Sequence, residues 1–139
     1  MAQVIGASEA VGLIRDHACV YFGGSGGGHA VPEALIEALR DRFATEGTPR
    51  GLTLASSVSI GDFESAGFNL LADPKLVRRV ISGGFNNCPK IAALAIADEI
   101  EAYTLPQGAL AQLCRDMAAG RPGLLTRTGL HTFVDPRYG

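Results

Sequence analysis

Residues 101–137 read EAYTLPQGALAQLCRDMAAGRPGLLTRTGLHTFVDPR, and this stretch decides the fold class. A short apolar strand ends at a polar Pro106-Gln107-Gly108 corner. An amphipathic helix follows, and Gly120-Arg121-Pro122-Gly123 breaks the chain before a second apolar strand. The helix presents Leu110, Leu113, Cys114 and Met117 at helical spacing as its buried side. Proline in the first turn costs nothing, because its missing N–H would have had no intrahelical partner. Residues 18–32 and 77–89 repeat the first half of this design: an apolar strand, a small-residue loop, then a proline that can open a helix. Three strand–loop–helix units of one kind are what an α/β protein uses to make a binding edge.

Working outward, strand and helix signals alternate along the chain. Ser8 is placed to cap a helix over 9–16, with Val11, Leu13 and Ile14 on one face. The run ACVYF at 18–22 shows no alternation, as expected of a strand covered on both faces. Pro32 opens a helix in which Leu35, Ile36, Leu39 and Phe43 recur at helical spacing, ending near Gly47 and Pro49. Residues 52–55 read as a strand, 56–67 carry no assignable pattern, and 68–72 read as a helical turn. A strand over 77–82, a loop at 83–87, a helix from Pro89 through Asp98 and a strand over 100–104 complete the order. This order implies an α/β fold: one domain over 1–139, an open and mostly parallel sheet flanked by helices, with right-handed crossovers. Ligands bind such sheets outside the carboxyl ends of the strands, which is where the three loops fall.

The net charge is −2 and the twelve basic residues are scattered, so the chain has no electrostatic footprint for nucleic acid. No apolar run approaches the ~18–20 residues of a membrane span, and the start MAQVIGASEA lacks a basic n-region and an apolar h-region. Three cysteines without Cys-x-x-Cys spacing indicate neither a disulfide framework nor a zinc site, and a cytoplasmic location is expected. At 139 residues the chain can bury roughly 70% of its unfolded surface. Its 47% hydrophobic and 19% charged content leave two readings open: further protein covers part of the surface, or a glycine- and alanine-rich core suffices.

The loops carry the candidate chemistry. Gly23–Gly28, followed by His29, lacks the Gly-Lys-Ser/Thr of a phosphate loop, and His29 stands where the dinucleotide pattern requires glycine. What remains is bare backbone whose N–H groups can approach a carboxylate or thioester oxygen, or a sharp turn without a ligand. Cys88 precedes a helix N-terminus, where a thiolate is stabilised. With His29 as base it is a candidate nucleophile, and a small buried thiol is the competing reading. Gln107 has an amide that can donate to and accept from a substrate, or cap its helix. Asp62 and Glu64 are a candidate carboxylate pair. His17 and His131 have no neighbours at metal-ligand spacing, so no metal is expected, and no Gly-x-Ser-x-Gly elbow occurs.

Taken together, the segments at 8–16 (SEAVGLIRD), Gly23-Gly24 leading to Pro32-Glu33-Ala34-Leu35, Arg42-Phe43 through Pro49, and Gly51-Leu52-Thr53-Leu54 point to a family. So do 100–103 followed by Pro106-Gln107-Gly108, Arg115-Asp116 through Pro122-Gly123, and Thr132-Phe133-Val134-Asp135-Pro136-Arg137. In this order they resemble the amino-terminal half of family I CoA-transferases. The similarity is greatest to the propionate/acetate CoA-transferase branch and more distant to succinyl-CoA:3-ketoacid CoA-transferase. The resemblance implies a sheet of the CoA-transferase/ribose-phosphate-isomerase type. It also implies ping-pong transfer of CoA from an acyl-CoA to a carboxylate through a glutamyl-CoA thioester, with coenzyme A as substrate and no permanently bound cofactor. The family's glutamate lies in a Gly-x-Glu-Asn/Ser-Gly-like motif in the carboxy-terminal half. Glu33, Glu64, Glu99 and Glu101 do not match that motif.

The chain is therefore expected to be inactive alone, whether as a small subunit or as part of a longer protein. The nucleophile would come from a complementary chain or a missing segment, in a hetero- or homo-oligomer. Gly24, Gly26, Gly27, Gly28, Asn86, Gln107 and Gly108 would form one wall of the acyl or carboxylate pocket. The alternatives are a non-catalytic module that binds a small carboxylate or acyl-CoA, and a subunit of a CoA-thioester hydrolase.

Overall fold

The computed structural model describes residues 3–24 and 30–138. Four strands, β1 (Cys19–Tyr21), β2 (Leu52–Ala55), β3 (Val77–Ser82) and β4 (Glu101–Thr104), pair in the order β1-β2-β3-β4. Every pair is parallel. Around them lie α1 (Ala7–Val11), α2 (Glu33–Glu46), a 3-10 turn (Phe68–Leu71), α3 (Pro89–Ile96) and α4 (Gln107–Ala118). The alternating order thus predicts the architecture that forms, an open parallel sheet with its helices.

Strands laid down in sequence order, with right-handed crossovers, put every connection on the same face of the sheet. Burial follows from this. Val20, Leu54 and Val80 are in register across β1, β2 and β3. They pack in one core with Ile36 and Leu39 of α2, Phe68 and Leu71 of the 3-10 turn, and Ile91 of α3. The Phe22 and Phe68 rings meet edge to face with centroids 5.1 Å apart. Side chains alternate across a strand, so Tyr21, Ala55, Ile81 and Tyr103 form a row on the opposite face. Tyr21 is 45% and Tyr103 50% exposed. The expectation that 18–22 is covered on both faces is therefore overturned. On the open face Arg79 pairs with Glu101 at 2.6 Å, and its guanidinium lies 5.9 Å from the centroid of the Tyr103 ring.

Two further expectations are corrected. The first helix occupies Ala7–Val11, with Ser8 inside it and Gly6 as its cap residue. It ends early because Arg42 reaches across from α2 to take the Val11 and Ile14 carbonyls at 2.7 and 2.9 Å, satisfying acceptors that another helical turn would have used. The apolar stretch after Gly120–Gly123 does not become a strand. It folds back on α4, where Leu124, Thr126, Thr128 and Val134 face Leu105, Ala109, Leu110 and Leu113 around a cavity of about 220 Å³. Here local turns and side chains occupy backbone groups that a ladder would have paired: the Asp135 N–H donates to the Thr132 carbonyl and the His131 N–H to the Asp135 carboxylate. On α4 itself Leu110 is buried and Met117 exposed, while Asp116 is buried and bonded to Arg121 at 2.9 Å.

The two faces predict different mutational costs. Leu54→Ala removes a fully buried side chain and is expected to cost about 2–5 kcal/mol. Tyr21→Ala on the open face of the isolated chain is expected to cost about 1 kcal/mol or less. Urea unfolding of the two variants measures the difference, and equal costs would contradict a one-sided core.

Candidate functional site

Because all four strands run parallel, their carboxyl ends share one edge, and main-chain bonds stitch the loops there together. The Phe22 N–H donates to the Ala55 carbonyl at 2.8 Å, Ser56 N–H to Ile81 at 3.0 Å and Leu105 N–H to Ser82 at 3.0 Å. The Ser82 hydroxyl donates to the Val58 carbonyl at 2.9 Å.

The predicted site residues are distributed unevenly along this edge. Gln107 and Gly108 open α4 and are exposed, and Asn86 is exposed in the neighbouring loop after β3. Gly83 of that loop lies directly against the Gln107 side chain. Gly24 follows β1 at the far end, beside the Ala30 carbonyl and Ile60. Three strand spacings separate the β1 and β4 ends, roughly 14 Å, so Gly24 and Gln107 follow strands at opposite ends of this edge. Gly26, Gly27 and Gly28, with His29, lie outside the described residues.

Between them stands a loop that sequence reading missed, the one after β2. The Ser57 carbonyl meets Gly83 there. Its one legible signal is position, since it too follows the carboxyl end of a strand; it has neither periodicity nor a helix-opening proline to mark it. Gly61 and Gly67 pair across this loop in an isolated antiparallel bridge. A β-carbon on Gly61 would collide with the Asn87 carbonyl, and Gly67 sits at φ +63, a left-handed backbone that favours glycine.

Behind the loops lies a buried polar network. The Asn87 N–H donates to the Ser59 hydroxyl at 3.0 Å and its amide to the Ser59 carbonyl at 3.4 Å. The Asn69 amide donates to the Asn87 carbonyl at 3.2 Å and accepts from the Lys90 N–H at 3.2 Å. Asn87 is thus a structural anchor that leaves Asn86 facing solvent. Cys88 is fully buried beside it, with its sulfur 3.5 Å from the Ser59 hydroxyl. Burial pushes the Cys88 thiol up, against a smaller lowering from Ser59. That is the opposite of an activated thiolate, so the small-buried-thiol reading holds.

The acidic groups near this edge are engaged by the backbone. Asp62 accepts N–H bonds from Ala66, Glu64 and Ser65 at 2.8, 3.0 and 2.7 Å. These hold its carboxyl well below the usual range. Both Glu33 oxygens accept from the Gly67 N–H, at 3.0 and 3.2 Å. Asp62 is committed to its own turn, accepting the Glu64 N–H, and Glu64 is exposed, an arrangement that lends no support to a paired-carboxylate role. Among the described residues no group of three or more His, Cys, Asp or Glu side chains is arranged to hold a metal ion. No described helix is long and apolar enough to cross a membrane.

The segment after α4 is pinned by Asp135, which is 1% exposed. Its carboxylate accepts from Arg137 Nη2 at 2.6 Å and from the His131 N–H at 2.8 Å. Arg137 first, and then the His131 N–H, hold the Asp135 carboxyl well below its ordinary 3.8. A depressed carboxyl stabilises the fold above its unfolded value and ceases to do so as pH falls through its folded one.

Two outcomes follow from this geometry. Thiol reagents are expected to modify exposed Cys19 in the folded chain and Cys88 only after unfolding; rapid labelling of Cys88 would contradict its burial. The 131–137 turn is expected to keep its amide-exchange protection above about pH 4 and lose it in stronger acid. In Asp135→Asn that protection is lowered at neutral pH and its acid dependence flattened.

Comparison with known proteins gives this edge a context. The sequence model described as Coenzyme A transferase matches residues 4–138. The acetate CoA-transferase YdiF of Escherichia coli K12 is 40% identical over 134 residues, which cover 96% of this chain and 25% of that protein. The acetate CoA-transferase subunit alpha of the same strain is 32% identical over 127 residues, 91% of this chain and 54% of the subunit. The crystal structure of the E. coli O157:H7 acyl-CoA transferase YdiF, a thioester complex with CoA, superposes with a TM-score of 0.92 at 40% identity over 96% of this chain and 26% of its own. The chain thus spans between a quarter and about half of the length of these relatives, and it belongs to the Coenzyme A transferase family.

Proposed function

We propose that this chain forms one wall of the acyl or carboxylate pocket of an acyl-CoA:carboxylate CoA-transferase, with coenzyme A as substrate. The attacking glutamate comes from a complementary chain or a further segment. The observation that carries this reading is the shared edge: four parallel strands end together, with the exposed Gln107 and Asn86 on adjacent loops, in a member of this family. The state of the local acids supports it. Glu33 and Asp62 are held by backbone N–H groups, and a carboxylate stabilised in this way is a poor nucleophile.

When a glutamate attacks a thioester, the carbonyl oxygen acquires negative charge. A pre-oriented amide donor lowers that barrier because it needs no reorganisation at the moment of reaction. Gln107 has the donor and stands where α4 begins. Asn86 on the neighbouring loop is a second polar group for the acyl or carboxylate end. Gly24 lines the more distant part of the cleft, with Gly26, Gly27 and Gly28 following it in sequence. A small-subunit arrangement is supported by the alpha-subunit relative, about half of which this chain spans.

The test uses the complete enzyme purified from its source. Gln107→Ala is expected to lower kcat for CoA transfer by about 10²–10³ with little change in KM for the acyl-CoA, while this chain alone shows no transfer. Transfer by the isolated chain, or full kcat in Gln107→Ala, would overturn the reading.

A further inference from the structure

Gly83 is the point where the loops after β2, β3 and β4 touch. A β-carbon built there would collide with both the Gln107 Cγ and the Ser57 carbonyl, and would lie 3.3 Å from the Gln107 Cδ. Its φ is not among the positive ones, so alanine is excluded by contact and not by backbone strain. The neighbouring Gly84 differs, since a β-carbon there would meet only the Asn86 Oδ1, at 3.3 Å. The Ser57 side of the contact cannot retreat cheaply. Residues 56 and 58 on either side of it are bonded to Ile81 and Ser82 of β3. The Gln107 side chain is the movable party.

We infer that Gly83 is a positioning residue for CoA transfer: its bare Cα is the seat against which the Gln107 side chain is set. The inference rests on the proposed role of Gln107 and adds what fixes its direction. With the aliphatic part of Gln107 packed against Gly83, its amide is held at the strand ends instead of sweeping through solvent. A methyl group at 83 displaces Cγ and swings the amide away from the edge. Misplacement by about 1 Å is enough to cost up to 10²-fold in rate.

The test is a double-mutant cycle in the complete enzyme, with the Gln107 side-chain amide followed by NMR. Gly83→Ala is expected to lower kcat at least about tenfold, to leave KM nearly unchanged and to shift the Gln107 side-chain NH₂ resonances. In a Gln107→Ala background, where Cγ is absent, the same change is expected to cost several-fold less, the remaining loss coming from the Ser57 carbonyl that a β-carbon also meets. Equal losses in both backgrounds mean that Gly83 acts through the Ser57 backbone or the fold, and overturn the inference. So does an unshifted Gln107 amide. A silent Gln107→Ala removes the pocket role of Gln107 and with it the catalytic part of the inference. The amide shift then reports separately whether Gly83 seats the side chain.

Discussion

The parallel main-chain ladder is the constraint on which the rest of this structure depends. Four strands paired in sequence order place every right-handed crossover on one face and every strand's carboxyl end on one edge. The first consequence is energetic: a one-sided core of Leu54, Val80, Ile36, Leu39 and Ile91. The second is chemical, because side chains far apart in sequence, such as Asn86 and Gln107, are brought to neighbouring loops. The same ladder places Tyr21, Ile81 and Tyr103 on the opposite face, where both tyrosines are exposed.

At the edge, close approach depends on missing side chains and on buried amides. Gly61 lets the loop after β2 press on the Asn87 carbonyl, and Gly83 lets that loop and Gln107 converge. Asn69 and Asn87 supply the hydrogen bonds that fix these approaches from behind. Their polar atoms are paired, so burying them carries no desolvation penalty without return. The outward Asn86 and the inward Asn87 divide two tasks between adjacent residues.

The charged groups serve mainly as structural ties. Arg42 ends α1, Asp62 closes its own turn, Glu33 holds Gly67, and Asp135 with Arg137 fixes the segment after α4. Each carboxylate spent in this way is withdrawn from chemistry. That pattern agrees with the proposal of a wall that presents neutral amides while the attacking acid lies elsewhere.

Much of this was legible from residues alone. Prolines 32, 89 and 106 marked helix starts, the apolar runs marked strands, and their alternation determined a parallel α/β sheet, because each signal is local and rests on backbone sterics. The edge position of Asn86 and Gln107 follows from the same order. Tertiary structure decided what depends on contacts between distant segments. Arg42 shortened the first helix, and the one-sided sheet left Tyr21 exposed. Asp135 and α4 turned a strand-like sequence into turns. The burial of Cys88 beside Ser59, and the meeting of Ser57, Gly83 and Gln107, required the fold, since no spacing in a chain reports which loops will press together once the strands have paired.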